Sequence, residues 1–71
     1  MQYTVIYERG ESGWGAYLPD LPGVIATGAS REEVESLIRE AVEFHIEGLK
    51  AEGLTAPPPS SWAGTVDIAA V

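Results

Sequence analysis

Seventy-one residues with 45% apolar side chains make one folding unit and exclude two, because a chain this short buries only about 60% of the surface it exposes when unfolded. Eleven acidic against four basic residues give a net charge of −7, which repels a nucleic-acid backbone and argues against direct nucleic-acid binding. No cysteine is available for a disulfide or a thiolate metal site, and no apolar run approaches the roughly 18 residues that cross a bilayer. A cytoplasmic protein held together by packing and self-association is expected.

In chain order, Tyr3, Val5 and Tyr7 alternate with Gln2, Thr4, Ile6 and Glu8, an aromatic and β-branched mixture that predicts a first strand over Tyr3–Glu8. Arg9-Gly10-Glu11-Ser12-Gly13 has the composition of a hairpin loop, and Trp14 to Leu18 resumes an apolar run as a second strand. Pro19-Asp20-Leu21-Pro22-Gly23 breaks that run, since two prolines fix φ and remove backbone donors while Gly23 can take a positive φ. Val24 to Thr27, closed by Gly28, predicts a third strand and an antiparallel meander.

Ser30-Arg31-Glu32-Glu33 reads as a capping box, with the Glu33 amide donating to the Ser30 hydroxyl and the Ser30 amide donating to the Glu33 carboxylate. Val34, Leu37, Ile38, Ala41, His45, Gly48 and Leu49 fall on one side of the helix that follows, with Glu32, Arg39, Glu40, Glu43, Glu47 and Lys50 largely opposite. Gly53 marks a left-handed cap, so the helix should end near Glu52. Three consecutive prolines in Ala56 to Ser61 favour an extended polyproline stretch. Thr65, Val66, Asp67 and Ile68 then alternate as a last strand within Trp62–Val71. The expected fold is α+β in the order β-β-β-α-β, one domain over residues 1–71, with a small antiparallel sheet covered by one helix.

No constellation of catalytic or metal-ligating residues stands out. Asp20 sits between two prolines and is expected to bond its own turn, with its rigid loop also available as a contact surface. His45, the single histidine, lies on the apolar helix face and is expected to be buried and hydrogen-bonded, without the second histidine or cysteine that a zinc site needs. Glu40, Glu43 and Glu47 form a stripe at i, i+3 and i+7, which suits a solvated face or the lysines of a partner better than a hard cation. Trp14 and Tyr17 point to opposite faces of one strand, so a sheet with one open side leaves an aromatic for a partner.

Taken together, Tyr3-Thr4-Val5, Gly13-Trp14-Gly15-Ala16-Tyr17-Leu18-Pro19-Asp20-Leu21-Pro22-Gly23-Val24, Gly28-Ala29-Ser30-Arg31-Glu32-Glu33-Val34 and His45-Ile46-Glu47-Gly48-Leu49 resemble the HicB antitoxin family over nearly the whole chain. The resemblance implies a partial ribonuclease-H-like fold without the nuclease's carboxylate cluster. It also implies a role in neutralising a small, basic, HicA-type toxin that cleaves messenger RNA. Family members often carry a helix-turn-helix or ribbon-helix-helix segment after this domain, and this chain is expected to lack one.

The expected function is therefore binding, with no cofactor, through Trp14, Tyr17, Asp20, Glu40, Glu43 and Glu47 to a basic HicA-like toxin. A homodimer or higher homo-oligomer is expected, because one helix leaves a sheet face and an edge open. A degenerate magnesium nuclease built on Glu8, Asp20 and Asp67 is the enzymatic alternative, disfavoured because two-metal chemistry needs clustered carboxylates. An orphan structural or small-ligand-binding domain without a toxin is the other.

Overall fold

The structure, a computed structural model, describes residues 1–70. It contains β1 (Ile6–Arg9), β2 (Trp14–Tyr17), β3 (Ile25–Gly28) and α1 (Arg31–Ala51). The three strands form one antiparallel sheet in the order β1-β2-β3. Its register aligns Tyr7, Ala16 and Ala26 in one row and Ile6, Tyr17 and Ile25 in the next, and the two-residue strand period sends these rows to opposite faces. The α+β class is as the sequence indicates.

The turns follow from their prolines and glycines. A hydrogen bond of 2.8 Å from the Gly10 amide to the Gly13 carbonyl closes the first hairpin. Between β2 and β3 the chain makes two successive turns, in which the Leu21 amide donates to the Leu18 carbonyl (3.3 Å) and the Val24 amide to the Leu21 carbonyl (3.2 Å). Pro19 and Pro22 take the second position of each turn, where their fixed φ fits. Gly23, at φ 89°, takes the third position of the second, as a type II turn requires. Leu21, at the junction, is buried in the core.

β1 starts later than the Tyr3–Glu8 span that alternation predicts. The reason lies across the ladder: Tyr17 pairs with Ile6, and Pro19 then turns the chain away, leaving residues 3–5 without a partner strand. Tyr3 and Val5 remain packed against the core.

At the start of α1, the Glu33 amide donates to the Ser30 hydroxyl at 3.2 Å. The return bond differs from the expected one, because the Glu33 carboxylate accepts from the Ala29 amide at 3.1 Å and not from Ser30. Arg31 pairs with Glu35 at 3.0 Å and lies over the Tyr7 ring, 5.1 Å from its centroid, which ties the first helical turn to β1. At the other end the Gly53 amide donates to Lys50 and the Leu54 amide to Leu49, a Schellman cap made possible by the φ of 75° at Gly53.

Ala16, Leu18, Leu21, Val24, Val34 and Ile38 form the buried core, with Tyr7, Trp14, Ala41 and Val42 packed half-buried around it. Of the predicted apolar helix face, Val34 and Ile38 are buried, Ala41, His45 and Leu49 are half-buried, and Leu37 and Gly48 are exposed. α1 makes its main contacts with β2 and β3, so its second half outruns the short sheet. Among the described residues no helix is long and apolar enough to cross a membrane.

The fourth strand expected within Trp62–Val71 is not formed among the described residues: 62–70 are exposed and belong to no ladder. Alternation assigns side chains to two faces but supplies no neighbour for the backbone, and this segment has no partner strand among the described residues. The consequence is an elongated molecule of 51 × 27 × 16 Å. Its radius of gyration is 14.4 Å; a compact chain of this length would have roughly 11 Å.

The capping and core assignments can be checked by urea unfolding followed by tryptophan fluorescence. Ser30→Ala should lower stability by about 1 kcal/mol, the usual cost of a lost N-cap. Ile38→Ala should lower it by about 2–5 kcal/mol by opening a cavity beneath the helix, so the midpoint shift for Ile38 should exceed that for Ser30.

Candidate functional site

Asp20 makes long-range bonds in place of the local turn bond expected of it. Its Oδ2 accepts from the backbone amides of Ser60 (2.8 Å) and Ser61 (3.0 Å), and its Oδ1 accepts from their hydroxyls at 3.0 and 2.7 Å. The β2–β3 loop thereby holds a segment 40 residues further along the chain. The Ser60 backbone bond, followed by the Ser61 hydroxyl, lowers the Asp20 pKa from its ordinary 3.8, with partial desolvation opposing them. Tyr3 and Thr4 add to the tether, the Tyr3 hydroxyl donating to the Pro57 carbonyl (2.5 Å) and the Thr4 hydroxyl to the Ser61 carbonyl (2.6 Å).

Glu40, Glu43 and Glu47 are all exposed, on one side of the part of α1 that outruns the sheet. Phe44 lies among them, 80% exposed, one residue beyond Glu43 and four beyond Glu40. A large ring held in water by a rigid helix and rimmed by carboxylates has the composition of a protein-contact anchor, with charge to steer a basic partner and a ring to bury. Phe44 is outside the residues that helical periodicity marks as core. That mismatch is itself the signal, because an apolar residue out of phase with the buried stripe must face outward.

The other predicted contact residues do not join this surface. Trp14 is half-buried on the inner sheet face and packs against the core. Tyr17 is on the outer face, in a row with Ile6 and the exposed Ile25, away from the helix. His45 is half-buried rather than buried, because the sheet beneath it has ended; with Phe44, Gly48, Leu49 and Glu52 it lines a shallow depression of about 230 Å³. Glu8, Asp20 and Asp67 are not assembled into a cluster, and among the described residues no group of three or more His, Asp or Glu side chains is placed to hold a metal ion.

Residues 3–69 match the family described as HicB_like antitoxin of bacterial toxin-antitoxin system. The chain belongs to this HicB_like family. It is 30% identical over 61 residues to Antitoxin HicB 2 of Photorhabdus laumondii, covering 86% of this chain and 44% of that one. A UPF0150 protein of Helicobacter pylori is 35% identical over 54 residues, covering 76% and 75% of the two chains. The match therefore spans less than half of the named HicB relative and three quarters of the other. Among solved structures, the HicA3 and HicB3 toxin-antitoxin complex contains a chain that superposes with a TM-score of 0.68 at 30% identity, over 83% of this chain and 70% of that one.

In this HicB_like chain the Asp20 tether should be sensitive to acid. A carboxylate whose folded pKa is depressed contributes stability that is present above its unfolded value, here 3.8, and is lost as pH falls through the lower folded value. Protection of the Ser60 and Ser61 amides, taken relative to their intrinsic exchange rates, should therefore be retained at pH 5 and lost as pH falls below 3.8. Asp20→Asn should show fast exchange at both amides at every pH, with the sheet amides unchanged.

Proposed function

We propose that this protein is an antitoxin that binds a small, basic, HicA-type toxin through the exposed side of α1 and blocks its cleavage of messenger RNA. The observation that carries this reading is Phe44, exposed and flanked by Glu40, Glu43 and Glu47, in a chain similar to one solved within a HicA3 and HicB3 complex. The net charge of −7 supports a basic partner, since opposite fields speed encounter. Inhibition by covering the toxin's site needs no catalytic group on the antitoxin, which acts here as a binding protein and not an enzyme.

The contact divides into two parts with different kinetics. The carboxylates act at a distance of up to about 8 Å at physiological salt, so they set the association rate. Phe44 acts only once water has been expelled from around it, so it sets the lifetime of the complex. Tyr17 with Ile6 and Ile25 offers a second apolar patch on the outer sheet face, suited to contact with a larger partner.

Stopped-flow measurement against a basic HicA-type ribonuclease separates the two. The triple change Glu40→Lys, Glu43→Lys and Glu47→Lys should slow association about tenfold or more and flatten its salt dependence, with dissociation little altered. Phe44→Ala should speed dissociation about tenfold or more and leave association nearly unchanged. A ribonuclease left fully active by excess unmodified protein would end the reading.

A further inference from the structure

The apolar residues of α1 follow two patterns at once. One, through Val34, Ile38, Ala41 and Val42, meets the sheet. The other advances in alternate steps of four and three through Leu37, Ala41, Phe44, Gly48 and Ala51, the spacing of one seam of a two-stranded coiled coil. At about 100° per residue this seam lies on a flank of the helix beside the core-facing stripe, and Leu37, Phe44, Gly48 and Ala51 are exposed. Glu35, Arg39 and Glu43 line a groove with Tyr3, Val5 and Tyr7 of the β1 side, on the opposite flank. Glu40 and Glu47 run along the solvent side of the seam, one heptad apart, at the position that meets a partner helix across such a coil. Ala41, Phe44, His45 and Gly48, at i, i+3, i+4 and i+7, are the corners of one hole in the seam. A Cβ added at Gly48 would point into open space, and Phe44, His45 and Gly48 line the depression of about 230 Å³.

We propose that this seam takes one amphipathic α-helix of a partner protein, with lysine or arginine on the flank that meets Glu40 and Glu47 and a large apolar side chain that enters the hole at Gly48. The inference rests on the reading that α1 binds a basic toxin, and it names the element that α1 binds. A helix matches the surface in length and period. From Leu37 to Ala51 the seam rises about 21 Å, and only another helix keeps in register with alternate steps of three and four over that whole length. Size matches in reverse, the small Ala41, Gly48 and Ala51 calling for large residues opposite them and the Phe44 ring for a small one. Charge sets the sign of the partner, because Glu40 and Glu47 have no cation between them and Arg39 is turned to the β1 groove. The same two carboxylates disfavour a second copy of α1. In an antiparallel pair they would meet their own counterparts, and in a parallel pair Glu47 would meet the other copy's Glu52. Glu43 is separated from Glu40 and Glu47 by this geometry, since it lines the groove on the other flank.

The probe is a synthetic peptide of about three heptads, with leucine opposite Ala41, Gly48 and Ala51, alanine opposite Phe44 and lysine on both flanks, offered to the full chain. The mixture should show more helical circular dichroism than its parts, with amide shifts in the labelled protein concentrated in residues 37–51 of α1. Gly48→Gln puts a better helix former in the helix and fills the hole, so it should raise the thermal midpoint of the free protein while weakening the peptide about tenfold or more. Glu40→Lys with Glu47→Lys should weaken the lysine peptide about tenfold and favour one with glutamate flanks, whereas Glu43→Lys should change either by less than about twofold. A peptide that gains no helix, shifts centred outside the seam, or a Gly48→Gln chain that binds undiminished would overturn the proposal. Self-association of the unaltered chain that Gly48→Gln abolishes would do so too, by giving the seam to a second copy. A basic HicA-type ribonuclease inhibited equally by the Gly48→Gln and unaltered chains removes the helix contact and leaves the toxin reading standing. Peptide bound as described, with no such ribonuclease inhibited by the unaltered chain, removes the toxin reading and leaves the seam as a helix site.

Discussion

A helix about 10 Å across, laid on strands about 4.8 Å apart, covers two of them. In this chain those two are β2 and β3, and most of the architecture follows from that limit. The buried core is gathered from β2, the β2–β3 loop and the first half of α1, in six residues. β1 is held by its ladder to β2 and by the stacking of Arg31 on Tyr7, with a groove in place of a covering element. Because the strands are four residues long and the helix twenty-one, the helix also continues past the sheet, and there Phe44 and its neighbouring carboxylates meet water.

Local chemistry was legible in the sequence, and long-range pairing was not. The double-proline turns, the Ser30 cap and the Gly53 stop depend on residues within a few positions of each other, so residue type and spacing identify them. The start of β1 depends on where its partner strand turns away, and the fate of residues 62–70 depends on whether any backbone lies beside them. Neither is encoded in the alternation of the segment itself. The bonds from Ser60 and Ser61 to Asp20 span 40 residues, and nothing about an aspartate between two prolines names its donors. Of the surface residues, the stripe of Glu40, Glu43 and Glu47 was readable from helical geometry. The exposed Phe44 is also signalled there, being out of phase with the buried stripe, whereas the half-buried Trp14 needed the side of the sheet that α1 covers to be known.

Acidity is unevenly distributed over this frame. Six of the eleven acidic residues are on α1, which carries three of the four basic ones. Arg31 is engaged with Glu35 at the first turn, so the stretch from Glu40 to Glu47 carries three carboxylates and no cation. That concentration of one sign near an exposed ring distinguishes the far end of the helix from the sheet, whose outer face is apolar at the Ile6, Tyr17 and Ile25 row and has only Glu8 as a charge in the next. An acidic protein can therefore have separate charged and apolar contact surfaces within one small domain.

Among the described residues the core contains no buried polar side chain. With no internal hydrogen bond to keep, any set of apolar side chains of equal total volume can fill it, at the level of stability if not of rigidity. Sequence drift is then limited mainly by the turns and caps, where a proline, a serine or a glycine answers to backbone geometry and has few substitutes. A fold specified in this way can persist while most of its residues are exchanged.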